Sequence, residues 1–473
     1  MADTIRTESE LLILFADNST GDISAQDMRD FVVSIYDDAG GGGGGGTVQG
    51  SDGTYDIQAT AEGATAGNAR GENSVDLQTN RAAANQVAAG ANSVISGGRN
   101  NKIASTFAND CTISGGVSNY CNGYFATIGG GSGNISYGYY STVVGGENNE
   151  SNGQWDVTGG YNCTTSTSGN GCLIIGENTN ITGSVADSVA FGSNNAITGG
   201  DFSFVHGFAT SVVGSYSFAL CRGTTPIGST TSFVDGDHSW AMGNAVTISS
   251  TANYAHAQGL TISCTGNYAF AHGISTDCLA DGAVAFGLSN SNSGDYSFAA
   301  GINHTIGAFG HYAHCIGIAT DTNIASAFVH GGGRIAAGAS NDGSAQAVQY
   351  IVHGVTTNAT QTELLTVNGG GSRRLELPDD STWAFEALIT ARRTDANDES
   401  AAYRIFGCID RNTGVATTAL VGSLVEDIIE DTAAWDVDIN ADTTNGALRV
   451  QVTGEAAKNI RWVATIRTTQ TFG

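Results

Sequence analysis

Acidic pairs stand at Asp379-Asp380, Asp398-Glu399 and Glu426-Asp427, with Asp395 between them. Glycosidic cleavage needs two carboxyl groups about 5–9.5 Å apart, one as acid and one as base or nucleophile. These residues fall at strand ends and loops, where carboxylates read as solvated turn residues. No His-Glu-x-x-His, Gly-x-Ser-x-Gly or Walker pattern occurs in the chain. The expectation is a protein that is not an enzyme, with no catalytic residue, no cofactor and no metal site. Binding fits the residue types better. Trp383, Tyr403, Trp435 and Trp462, with Arg392 and Arg393, are the kinds of side chain that grip sugars or protein. Alternation assigns Trp383 and Trp462 to a core. Trp435, Arg392, Arg393 and Tyr403 are the candidate receptor-binding residues.

The elements that would position them are strands. Between Lys102 and Arg334 the only basic residue is Arg222, whereas residues 347–473 hold ten of the chain's 18. That shift marks a C-terminal domain over 347–473. Its strand patterns are Val348–Val352, Glu363–Val367, Arg373–Leu377, Trp383–Ala391, Tyr403–Ile409, Ala433–Ile439, Leu448–Val452 and Ile460–Arg467. Asn445-Gly446 before Leu448, Val450 and Val452 is a hairpin signal. Short strands at this spacing predict a β-sandwich of jelly-roll type.

Upstream the chain is a repeat. Gly243, Gly259, Gly273, Gly287, Gly301, Gly317 and Gly331 are 16, 14, 14, 14, 16 and 14 residues apart. Such a period implies a stacked, quasi-one-dimensional architecture. Four residues before each glycine stands Ala or Ser, as at Ser239, Ala255, Ala269 and Ser297. The slot three before is bulky: Phe204, Trp240, His256, Phe270, Val284, Phe298, His314, Phe328. Alternation of this kind is a strand with one small and one bulky face. A 14-residue turn makes two short strands and two tight bends, so the sequence predicts a flat parallel β-roll with Ala and Ser inside. Its bulky slots then point outward. An exposed aromatic stripe needs a cover, and identical chains around an axis are the simplest. Those eight residues are the expected trimer-interface set. Imidazoles of His256 and His314 on such an axis could bind an ion; as slot fillers they replace aromatics.

Runs such as Ser188-Val-Ala-Phe-Gly192 and Ala283-Val-Ala-Phe-Gly287 resemble the head repeats of YadA-like trimeric adhesins. The resemblance covers about residues 90–335. It implies a left-handed parallel β-roll wound as a trimer, a module also found in bacteriophage tail fibres. The shaft is expected over 91–334, about 16 turns and roughly 75 Å long. Over 91–187 the pattern is looser, and Asn-rich bends recur at Arg99-Asn-Asn101, Glu147-Asn-Asn149 and Ser193-Asn-Asn195. Asn tolerates left-handed backbone and stacks in ladders. Between Cys221 and Gly243 the period breaks around Pro226, predicting a loop excursion.

The N-terminus differs. Residues 1–39 read as two short amphipathic helices, with Leu11, Leu12 and Phe15 on the first and Met28, Phe31, Val32 and Ile35 on one face of the second. Too small for a core of their own, they are expected to anchor the chain to a virion tail, baseplate or collar protein. Gly40 to Gly46 is a run of glycines, read as a hinge. Residues 47–90 form a lead-in, and 335–346 a small-residue linker before the domain at 347–473.

Net charge is −27, with 18 Lys+Arg against 45 Asp+Glu, which argues against nucleic acid as a partner. No stretch of 18 apolar residues occurs, so no membrane span is expected. Met1-Ala-Asp-Thr-Ile-Arg6 does not open a secretory signal. Nine cysteines are scattered; Cys264 and Cys278 share a slot of successive turns, within disulfide reach, but read as reduced fillers. The whole is expected to be an all-β homotrimeric phage tail fibre. It would be made in the host cytoplasm, carried on the virion, and bind a host-surface glycan or protein through its C-terminal tip. A head or collar fibre with a purely structural role, or a polysaccharide-depolymerising spike, are the alternatives.

Overall fold

The computed structural model describes residues 47–49, 55–57, 70–104, 107–222, 232–333, 343–366, 374–396 and 398–472. The expected N-terminal helices, with Leu11, Leu12, Phe15, Met28, Phe31, Val32 and Ile35, and the glycine hinge lie outside the described residues. So do Pro226 and most of the 335–346 linker. Among the described residues the only helix is a single 3-10 turn, Val415–Thr417. Short parallel strands stack into a β-solenoid of about 16 turns. Two compact units divide the chain, the first ending at Asn178 and the second beginning at Thr179.

In the first unit one strand row runs Val94, Thr112, Thr127, Thr142, Val157 in parallel register. A second runs Lys102, Tyr120, Ile135, Glu150. Ile95, Ile113, Ile128 and Val143 share one fully buried core with Ile103 and Cys121. The bends follow from the Asn-Asn pairs. Asn100 and Asn148, the first of each pair, take left-handed backbone at φ 59° and 56°. The second of each pair turns inward: Asn101 and Asn149, with Asn119 and Asn134 at the matching positions of the turns between them, are all fully buried and form a ladder. Each amide bonds the next turn's backbone, so polar groups that the core would penalise are satisfied. At the start of the stack Arg81 and Asp76, both with fully buried side chains, form an ion pair of 3.0 Å.

In the second unit the small slots are buried, with Ala241, Ala257, Ala271, Ala285 and Ala299 fully so. The bulky slots point outward, half-buried or exposed. The interior is not Ala and Ser alone, however. The facing strand row contributes Ile197, Val212, Val234, Ile248, Cys264, Cys278 and Ile306, all fully buried. Small residues on both sides would leave a void, which close packing forbids; Ala opposite Ile or Val fills the gap. The expected excursion after Cys221 leaves the stack unbroken: Phe218–Arg222 pairs directly with Trp240–Asn244. All nine cysteines are free thiols, eight of them buried.

Beyond the last turn, Ala345–Thr356 pairs antiparallel with Ile460–Phe472, which pairs with Ser381–Arg393, then Ser400–Arg411, then Val425–Glu430. A second antiparallel set joins Thr362–Glu363 and Leu375–Glu376 to Ala447–Thr453 and Asp436–Asp442. Trp435, at the edge of the second set, packs 5.8 Å from Trp462 of the first. Phe328–Gly332, the last solenoid strand, is antiparallel to Ala345–Thr356, so solenoid and sheet share one hydrogen-bonded surface.

Candidate ligand-binding surfaces

Three features of the second unit could hold a partner. The first is the outer face of the solenoid strands. The bulky slots stack in register from Phe204 through Phe218, Trp240, His256, Phe270, Val284, Phe298, His314 to Phe328. Trp240 and His256 approach to 4.1 Å between centroids, and His256 and Phe270 to 4.4 Å. Burial, then the neighbouring His272, holds the His256 imidazole below its usual pKa, so it stays neutral like the rings around it. Beside this row runs an aliphatic one, Leu260, Ile274, Leu288, Ile302 and Ile318, every member exposed. No group of three metal-ligating side chains occurs among the described residues.

The second is a cleft of about 400 Å³ where the last solenoid strand meets the C-terminal sheet. Phe328 and Phe406, both about half exposed, form apolar walls, and His330, Gln349, Glu386 and Arg467 bring polar groups. The antiparallel register puts Arg467 opposite both Glu386 and Gln349. Glu386 is engaged by Arg404 at 2.7 Å. Arg467 is exposed and has no ion-pair partner among the described residues, which leaves its guanidinium open to a ligand. Neither Arg467 nor Phe406 is singled out by sequence. The strand alternation that exposes them is legible; their convergence with Phe328 across the chain is not.

The third is a corner ladder of rings, Tyr216, His238, Tyr254 and Tyr268, stacked at 4.8, 4.7 and 5.1 Å between centroids.

The residues expected to meet a receptor fall elsewhere. Trp435 and Tyr403 are each only 2% exposed, and so are no part of a surface. Trp435 folds under the sheet against Trp462, and the Tyr403 hydroxyl donates to Glu430 at 2.8 Å. Burying a large indole gains more than its acidic neighbours lose, because Asp431 and Asp436 turn to solvent while the ring does not. Arg393 is occupied by Asp395, Asp398 and Glu399. Arg392 is exposed on the same strand. Of the paired carboxylates, Asp379 holds Arg411 at 2.6 Å and Asp380 meets Thr413. Glu426 and Asp427 lie on the exposed edge strand Val425–Glu430. The structure brings none of these pairs into the cleft.

No family model matches the chain, and no curated protein does. The resemblance of the repeats to YadA-like heads therefore finds no support there. Solved structures similar to the chain include two phage tailspikes. One is a tailspike protein, gp49, of the Acinetobacter baumannii bacteriophage Fri1, described as a capsular polysaccharide depolymerase. It is 8% identical, with 89% of this chain and 71% of that one covered and a TM-score of 0.17. The other is the tailspike of the Acinetobacter baumannii phage AM24, 9% identical, with 80% and 63% covered and a TM-score of 0.15. The chain thus spans less than two thirds of the second structure. Likenesses of this size carry no activity over to this chain. They do correct one expectation: with a depolymerase by name among its structural neighbours, the statement that the chain is not an enzyme does not stand.

Proposed function

We propose that the chain is the subunit of a homotrimeric, phage tail-associated fibre or spike that holds a host-surface glycan at its C-terminal end. The observation that carries this reading is the double row of outward apolar side chains, aromatic and aliphatic, in register along successive turns of the second unit. A stripe this long exceeds what a lone soluble chain exposes, and a second and third copy cover it at no cost in new sequence. The two C-terminal antiparallel sheets are read as the sandwich-like tip, and the Arg467 cleft as its receptor contact. Three copies would make that contact multivalent. The N-terminal segment is read as the virion anchor.

Light scattering on the full chain tests the assembly, with Phe270→Asp and Phe298→Asp as variants. Three chains per particle, falling to one in the double variant, is the expected result; a wild-type monomer refutes the assembly. Binding of labelled protein to host cells tests the tip. Arg467→Ala is expected to lower it at least tenfold with trimer mass unchanged; unaltered binding refutes the cleft assignment.

A further inference from the structure

We propose that the ligand held at the C-terminal end is an acidic polysaccharide, laid along the strand Ile460–Phe472 with one anionic residue on Arg467 and another on a second grip, the Arg392–Arg461 pair. The proposal rests on the reading of the Arg467 cleft as the receptor contact, and adds the second grip, the charge of the ligand and its path. The starting point is where the cations of the C-terminal domain go. Arg374, Arg393, Arg404, Arg411 and Lys458 all form ion pairs. Arg449 donates to Asn440 at 2.7 Å. Among the described residues of the domain that leaves Arg392, Arg461 and Arg467, each exposed and none in an ion pair.

Strand geometry puts all three on one face of the sheet. Side chains alternate along Ile460–Phe472: Ile460, Trp462, Ala464 and Ile466 are buried, and the residues between them turn outward. On the neighbouring strand Ser381–Arg393, Arg392 stands directly opposite Arg461, as Glu386 does opposite Arg467. Side chains directly opposite have Cβ atoms about 4.5–5.5 Å apart, and like charges placed so are destabilising. The chain carries 45 carboxylates, yet none is set against this pair. An anion between the two guanidinium groups removes the repulsion and takes charge-assisted hydrogen bonds from both.

The two grips lie six residues apart on one strand, about 20 Å along it. Between them the face alternates apolar and polar groups. Thr465 is flanked by Ile351 on one neighbouring strand and Leu388 on the other, and Val463 by His353 and Thr390. Ile351, Leu388 and Val463 are exposed. Such a strip suits pyranose rings, whose C–H faces lie on apolar side chains while their hydroxyl edges meet hydroxyl and imidazole groups. Glu386, beside Arg467, is held by Arg404 at 2.7 Å, so its charge is offset where the ligand passes. A cation at each end of a path this long calls for a chain rather than a single sugar. Its second anchor then binds as an intramolecular step. A neutral glycan would leave all three guanidinium groups unanswered.

The test is calorimetric titration of the full-length protein with two acidic octasaccharides, oligogalacturonate and hyaluronan. Each is compared with its uncharged methyl ester and with its own disaccharide, which reaches one grip only. At least one octasaccharide is expected to bind at least tenfold more tightly than both comparisons. Arg467→Ala, and separately the double variant Arg392→Ala with Arg461→Ala, should each lower that affinity at least fivefold. The double variant relieves a like-charge pair, so its melting temperature should equal or exceed that of the wild type; a lower one would make the pair structural and overturn the second grip. A particle that loses its assembly mass in the double variant would put a second copy of the chain on this face, and also overturns it. Binding by neither octasaccharide, or ester and acid binding alike, overturns the acidic ligand. Should Arg467→Ala lower binding to host cells while the double variant leaves octasaccharide affinity unaltered, the second grip fails and the cleft stands; unaltered cell binding in Arg467→Ala is the failure of the cleft itself.

Discussion

Replacing Asn134 by alanine removes the centre of the buried amide ladder in the first unit. Its Nδ2 donates to Gly130 O and Gly146 O, each at 2.9 Å, and its Oδ1 accepts the Asn149 backbone N–H and Nδ2, each at 3.0 Å. Alanine leaves the Gly130 carbonyl and the Asn149 N–H without their partners, while the Gly146 carbonyl keeps the Ser132 N–H at 2.9 Å. Each orphaned buried group costs about 1–3 kcal/mol. The two share one neighbourhood and do not add fully, so the loss expected is about 2–4 kcal/mol. Solenoids open locally, turn by turn, so the reporter should be local too. Native-state hydrogen exchange at the Asn149 amide is expected to speed up by roughly thirtyfold to several hundredfold, at about 1.4 kcal/mol per tenfold. Asn148→Ala is the control. Asn148 is exposed, at φ 56°, so alanine there should cost only about 1 kcal/mol, the left-handed backbone penalty. An Asn134→Ala change no larger than the Asn148→Ala change would refute the view that the inward amide carries the stability of these turns.

Other consequences are as direct. Asp76→Asn leaves Arg81 buried without its counter-charge and should lower stability of the first turns by about 3–5 kcal/mol, read as a lower urea midpoint. His256 has its folded pKa depressed, chiefly by burial, so the fold favours its neutral form. Its contribution is intact above the unfolded value of about 6.5 and is lost as pH falls from there through the depressed folded value. His256→Phe should flatten that part of the stability profile in a pH series of thermal melts, and an unchanged profile would count against the stacked neutral imidazole. A thiol reagent added to native protein should modify Cys408, the half-buried one, first. Cys315, its thiol pushed up to about 12 by burial, and Cys278, raised by its hydrogen bond with Cys264 and by burial, should react only on unfolding.

Much of the solenoid is legible in the chain, because its period repeats the same local decision many times. Ala and Ser four before each glycine predict buried small slots, and the structure has them buried; the paired asparagines predict left-handed bends, and Asn100, Asn148 and Asn194 take them. The aromatic corner row keeps the same period, in Tyr254, Tyr268, Tyr296 and Tyr312, one residue before the small slot. Inside–outside alternation says nothing about a residue with positive φ, so the row is not legible from it. In the C-terminal domain the strands are legible and the edge strand Val425–Glu430 is not, since every residue but the last is exposed and no face alternates.

The sequence by itself determined the stacking: a 14-residue period with small, bulky and bend slots admits one register, since a one-residue slip would turn aromatics into a gap built for alanine. It could not determine what converges across the chain. Trp435 looks open beside two aspartates and is buried. Arg467, Phe406 and Phe328 look unrelated and line one cleft. Those outcomes depend on which surfaces of distant strands meet, and hydrophobic burial is indifferent to sequence distance. Only the tertiary structure, by pairing the last solenoid strand with the C-terminal sheet, decided them.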